Sequence, residues 1–195
     1  MNLYKNGLKR ILDVLLSGIA LIILTPIFII ICVLILKDDF GPIFFKQKRV
    51  GKDEKIFEVF KFRTMYINAE KYQKLGVEVT GEDPRITKLG YFLRRFKLDE
   101  LPQLYNILKG DMSIIGPRPS LPDYLKIYKD WERERFRVKP GLSGLAQVNG
   151  NIYLSRIKRS RLDVKYVREL SFSLDLKIVL KTILVIIFGE KRFKK

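Results

Sequence analysis

The sequence contains no histidine at all and a single cysteine, Cys32. The first absence removes His-based triads, His-ligated zinc and imidazole acid–base chemistry. The second removes any disulfide framework, and a lone thiol within an apolar run fits a reducing compartment. Acidic residues are also scarce: 21 Asp and Glu stand against 38 Lys and Arg, a formal charge of +17. An excess of that size favours an anionic partner, whether a membrane surface, nucleotides or nucleic acid. Any catalysis must therefore run on carboxylates, Lys, Arg, Tyr or a hard metal ion. Apolar residues are plentiful, 47% of 195, enough for one compact domain with appendages.

Those apolar residues concentrate in one long run. From Val14 to Leu36 nothing is charged and only Ser17 and Thr25 carry polar side chains. These 23 residues are long enough to cross a hydrocarbon layer of about 30 Å. The run exceeds a signal-peptide core and has no small-residue cleavage site after it. Pro26 removes the hydrogen bond to the Ile22 carbonyl, so a kink is expected, and the Thr25 hydroxyl can return to the Leu21 or Ile22 carbonyl. Both flanks are basic: Lys5, Lys9 and Arg10 before, then Lys37, Lys46, Lys48 and Arg49 after. A single span carries positive charge mainly on its cytoplasmic side. Charge on both sides favours a helix that enters, breaks at Thr25-Pro26 and returns to the same face; an ordinary kinked span is the alternative.

A second stretch carries the chemistry. Lys97 to Pro119 reads as a short helix, with Asp99 at the N-cap position, Pro102 in the first turn, Leu101, Leu104, Tyr105 and Leu108 at helical spacing, and Gly110 at the exit. Asp99 and Glu100 then lie at the positive end of that helix, which favours ionised carboxylates suited to a divalent metal or to attack on phosphorus. The residues leave a second reading open, in which Asp99 only caps and Glu100 only complements the dipole.

Around this stretch, Ile43–Val50 and Ile56–Arg63 read as a β-hairpin joined by Gly51-Lys52-Asp53-Glu54. Lys61 and Arg63 alternate with Phe60 and Phe62, so they share one face and suit a pyrophosphate, or merely guard a sheet edge. Tyr66–Leu75 reads as a polar helix followed by a loose stretch through Glu82. Thr87 can cap a helix with Leu89, Phe92, Leu93 and Phe96 on its apolar side and Arg94 and Arg95 near its end. Gly116-Pro117-Arg118-Pro119 is a stiff extended loop presenting Arg118 for phosphate, carboxylate or a plain salt bridge. Leu121, Tyr124, Leu125, Tyr128 and Trp131 fall on one face of a further helix, as core or as interface aromatics. Pro140–Gly144 is a glycine-punctuated loop, Arg156–Arg168 a strongly basic helix, and Leu174–Phe188 a helix too short to span that should lie along a membrane surface. Asp175 can cap it, and the closing Lys191, Arg192, Lys194 and Lys195 suit anionic headgroups.

The run D-P-R-I-T-K-L-G-Y-F-L-R-R-F-K-L-D-E-L-P-Q-L-Y-N-I-L-K-G-D-M-S-I-I-G-P-R-P closely resembles the bacterial sugar transferase family, the monotopic polyprenyl-phosphate phosphoglycosyl transferases that begin surface-glycan assembly. The Pro-broken apolar segment, K-F-R-T-M at 61–65, P-G-L-S-G-L-A-Q-V-N-G at 140–150 and S-F-S-L-D-L-K-I at 171–178 match family motifs in family order. The chain resembles the family's minimal form. It departs in having Thr25 where relatives usually have Ser, and Lys97 where they commonly have a small hydroxylated residue.

The resemblance implies an α+β, mainly helical fold: a re-entrant helix-break-helix membrane anchor, a small β-hairpin, and interfacial amphipathic helices around a cytoplasmic catalytic domain. The division would be residues 1–39 as anchor, broken at Thr25-Pro26, and 40–195 as catalytic domain. It implies Asp99 as nucleophile and Glu100 as its partner, the two also holding Mg2+. Lys61, Arg63, Arg94, Arg118, Gln147, Asp163 and Tyr166 become candidate substrate-binding residues. The substrates implied are a UDP-sugar and undecaprenyl phosphate, with release of UMP, at the cytoplasmic face of the bacterial inner membrane. Asp111 is left with either a metal-site role or the closing of its turn, and Asp175 with either a family-matched position facing the substrate or the capping of its helix. Nucleic acid is not expected as a partner, because the basic residues are spread over many segments and no nucleic-acid motif is present. The transferred sugar and the oligomeric state are left open.

Overall fold

The computed structural model describes residues 3–67, 69 and 83–193. A turn at Tyr4–Leu8 leads into α1, Lys9–Asp38. The hairpin β1 (Phe44–Val50) and β2 (Ile56–Phe62) follows, then α2 (Lys88–Arg95) and α3 (Gln103–Lys109). Next come β3 (Ser113–Ile115), the one-turn α4 (Asp130–Arg133), β4 (Gly141–Ser143), α5 (Arg156–Glu169) and α6 (Phe172–Phe188). Most of the structured chain is helical, with one long apolar N-terminal helix and two small two-stranded sheets. The hairpin pairs antiparallel from Phe44↔Phe62 to Val50↔Ile56, whereas β3 and β4 pair parallel. The polar helix expected at 66–75 falls largely outside the described residues, as do Lys194 and Lys195.

α1 stays helical on both sides of Pro26. The Thr25 hydroxyl donates to the Leu21 carbonyl at 2.8 Å, which offsets part of what the proline removes. Most of its apolar side chains are exposed, and Asp13, Ser17, Ile31 and Ile35 are its buried residues. Its seam runs along the whole body. Arg10 donates to the Ile107 and Leu108 carbonyls at the end of α3, and Asp13 accepts from the Ile114 amide at 3.0 Å. Leu21 and Leu24 pack with Leu104 and Ile107, while Phe28, Ile31 and Ile35 pack with Phe62 and Leu93. At the far end Asp39 pairs with Arg63 at 3.0 Å.

Two expectations from the sequence change. The aromatic face from Leu121 to Trp131 is divided between a 3-10 turn at Pro122–Lys126 and α4, so Tyr128 turns inward against Val50 and Phe136. Asp175 does not cap α6. Ser171 does, and the buried Asp175 carboxylate instead collects Lys9 and the hydroxyls of Tyr4 and Tyr166, tying the start of α1 to α5 and α6.

Candidate active site

β2, α2, the turn after α2 and the loop after β3 converge on one cleft of about 770 Å³. Alternation along β2 and its extension puts Lys61 and Arg63 on the cleft side. Thr87 caps α2 by accepting from the Gly90 amide at 2.9 Å. Gly90 lets that helix press on the hairpin's exit: a Cβ there would lie 2.1 Å from the Thr64 carbonyl oxygen. The close seat brings Arg94 to the Thr64 hydroxyl, its Nε donating at 2.8 Å. Lys97 then takes a left-handed conformation, φ 59°, and turns the chain into a 3-10 turn at Leu98–Glu100. Asp99 therefore precedes α3 without capping it, and Pro102 occupies the cap position.

The two adjacent carboxylates have opposite surroundings. Glu100 is clamped: Lys61 Nζ lies 2.7 Å from Oε1, and Arg118 reaches the same oxygen at 2.8 Å. Burial alone would raise its pKa, but Arg118 and Lys61 together hold the carboxyl well below the usual carboxylate range. Asp99 is 6% exposed, and among the described residues its carboxylate forms no hydrogen bond or ion pair. Burial pushes its pKa up, opposed by Lys61 and Arg94 and reinforced by the charge of Glu100. Burial also lowers the Lys61 pKa, against the pull of Glu100. The outcome is a buried carboxylate with no partner among the described residues, in a field of cations, beside one clamped through Oε1. Such a group is a nucleophile or ligand in waiting.

The other sequence candidates divide into two sets. Lys61, Arg63, Arg94, Arg118 and Asp163 line the cleft with Asp99 and Glu100. Arg63 is partly spent on Asp39, and Asp163 forms a buried ion pair with Arg135 at 2.8 Å. Gln147 and Tyr166 are not in the lining. The Gln147 amide donates to the Leu142 carbonyl at 2.9 Å, and the Tyr166 hydroxyl is shared between the Ile115 carbonyl and Asp175 deep in the core. Asp111 pairs with Lys109 and stays at the end of α3.

Sequence reasoning missed Arg135, which is 6% exposed. It donates to the Arg118 carbonyl at 2.8 Å and to the Tyr128 hydroxyl. It thereby fixes the loop from which Arg118 reaches Glu100. One arginine among many gives no local signal for this. Arg156 and Arg159 were visible only as members of a basic helix, yet their spacing to Asp163 sets all three on the cleft side of α5.

No three Cys, Asp or Glu side chains among the described residues are gathered to hold a metal by themselves. Asp99, with no partner for its carboxylate among the described residues, and Glu100, whose Oε2 meets Arg118 only at 3.4 Å, offer the one or two carboxylates that an ion such as Mg2+ takes before completing its shell with water and substrate phosphates.

A family model described as bacterial sugar transferase matches residues 4–189. The uncharacterized sugar transferase EpsL of Bacillus subtilis is 42% identical over 184 residues, covering 94% of this chain and 89% of that protein. The galactosyl transferase CpsE of Streptococcus agalactiae is 40% identical over 191 residues, 93% of this chain but 42% of its own length. The UDP-glucose:undecaprenyl-phosphate glucose-1-phosphate transferase of Escherichia coli is 39% identical over 184 residues, 90% of this chain and 39% of that protein. The chain thus spans less than half the length of the last two.

Proposed function

The chain belongs to the bacterial sugar transferase family, and from that premise we propose that it moves a sugar-1-phosphate from a UDP-sugar to undecaprenyl phosphate, releasing UMP. The observation that carries the proposal is the asymmetry of the acidic pair: Asp99 unengaged, Glu100 held by Lys61 and Arg118. An Asp99 oxygen attacks the phosphorus that bears the sugar. The bond from that phosphorus to the bridging oxygen breaks, and UMP leaves with the bridging oxygen. A phosphate oxygen of the polyprenyl phosphate then attacks the same phosphorus, displaces the Asp99 carboxylate and forms the lipid-linked diphosphate sugar. Lys61, Arg94 and Arg118 bind the diphosphate and stabilise charge that develops on its oxygens. Glu100 keeps Lys61 and Arg118 oriented around the phosphorus. Mg2+, held by Asp99, Glu100 and substrate oxygens, would neutralise the diphosphate.

Residues 1–39 serve as the anchor and 40–195 as the catalytic domain, at the cytoplasmic face of the bacterial inner membrane. The anchor enters and leaves on that one face. Supporting this, Arg10 and Asp13 near one end of α1 and Asp39 at the other bond to a single body that also carries the acidic pair. The exposed apolar side of α6, including Leu176, Leu180, Ile183 and Ile187, adds a surface that suits the lipid interface.

The test is turnover with UDP-glucose and undecaprenyl phosphate, read as UMP release. Asp99→Asn should lower it by more than about a thousandfold, the loss expected for a missing nucleophile, while the protein still extracts with membranes. Unchanged release from that variant would defeat the assignment.

A further inference from the structure

The cleft lining includes a polar, cation-rich sector, and a chain of contacts leads to it from the acidic pair. Arg118 holds Glu100 with its side chain, Arg135 holds the Arg118 carbonyl at 2.8 Å, and Asp163 holds Arg135 at 2.8 Å. Beyond that point the lining comes from Tyr124, Asn151, Tyr153 and the α5 residues Arg156 and Arg159. Every exposed position on α5 is charged: Lys158, Arg161, Lys165, Arg168 and Glu169. Tyr91 of α2 and Val185 and Ile186 of α6 also line the cleft; the exposed positions of α6 are mostly apolar, while α2 exposes Lys88 and Arg95 beside Tyr91 and Phe92.

We infer that the nucleoside half of the donor seats in the polar lobe walled by Tyr124, Asn151, Tyr153, Arg156, Arg159 and Asp163. This rests on the donor–acceptor reading of the preceding subsection. The lobe offers what a nucleotide needs. Tyr153 is 43% exposed and presents a ring for a planar base. Arg156, which also holds the buried Glu132, and Arg159 bring guanidinium groups to the lobe for phosphate or for stacking. Asp163 is 2% exposed, and while Oδ2 holds Arg135, its Oδ1 has no hydrogen-bond partner. Without a partner among the described residues, that acceptor favours a base offering a ring N–H. Uracil has one at N3, where cytosine presents an acceptor.

The experiment measures UMP and CMP binding by calorimetry, and donor and acceptor KM values, on the full chain in lipid nanodiscs. Tyr153→Ala and Arg159→Ala each weaken UMP binding and raise the donor KM about tenfold, the size of one lost stacking or charge contact, with the undecaprenyl-phosphate KM unchanged. Asp163→Asn narrows the preference for UMP over CMP. Unaltered UMP binding in both Tyr153→Ala and Arg159→Ala, or a rise in the acceptor KM instead, overturns the assignment. Calorimetry needs no turnover, so loss of UMP binding in these variants supports the lobe even if the transfer assay fails. Should Asp163→Asn fail to fold, the other two variants decide.

Discussion

Asp99 and Glu100 are neighbours in sequence, yet the structure gives them opposite effects on stability. Glu100 is held below its ordinary pKa, so its contribution is present above the unfolded value of about 4.3 and is lost as pH falls through the folded one. Asp99 is raised, so its ionisation works against folding as pH rises past about 3.9. Neutral replacements should therefore move the melting midpoint in opposite directions at pH 7. Glu100→Gln leaves Lys61 and Arg118 facing an amide and should cost about 2–3 kcal/mol, short of the cost of breaking a fully sealed pair. Asp99→Asn removes a buried, unpartnered charge and should raise the midpoint while ending turnover. Thermal melts of both variants in one detergent check this, and a lower midpoint for Asp99→Asn would refute the unengaged-carboxylate description. The same raised pKa places the acid limb of the rate profile above the range of an ordinary aspartate, with activity falling as pH drops through it.

At the scale of elements, the site depends on how closely α2 sits on the hairpin. Gly90→Ala places a methyl against the Thr64 carbonyl, so α2 must shift and carry Arg94 with it. A loss of about 1–3 kcal/mol, the usual cost of overpacking, and a fall in turnover are expected, read by melting and by UMP release. Local chemistry made several elements legible in the sequence: the Thr87 cap, the hairpin across Gly51–Glu54, the basic α5 and the acidic pair. Long-range partners were not legible. The parallel pairing of β3 with β4, the Asp163–Arg135 ion pair and the gathering of Tyr4, Lys9 and Tyr166 on Asp175 join segments far apart in the chain. The pattern at 121–131 misled because apolar spacing is the same for one helix and for two short turns facing the same core. Tyr166 matched a motif position, but motif membership does not separate a residue that meets substrate from one that holds the core together.

At the scale of the whole molecule, the excess positive charge suits an anionic membrane, and α1 and α6 each expose apolar side chains that suit its interior. Both ends of α1 are bonded to the same body, so cysteines introduced at Lys5 and Asp38 should label with a membrane-impermeant reagent from the cytoplasmic side alone. Labelling of one of them from the opposite side would make α1 a span. The central claim is that the membrane anchor delivers Asp99 to the donor's phosphorus at the lipid boundary. The most direct test mixes membrane-embedded enzyme with UDP-sugar in the absence of polyprenyl phosphate and measures the mass of the peptide carrying Asp99. The account predicts a phospho-sugar adduct on that residue, discharged when the acceptor is added. Continued turnover with no adduct there, or with the adduct on another side chain, would contradict it.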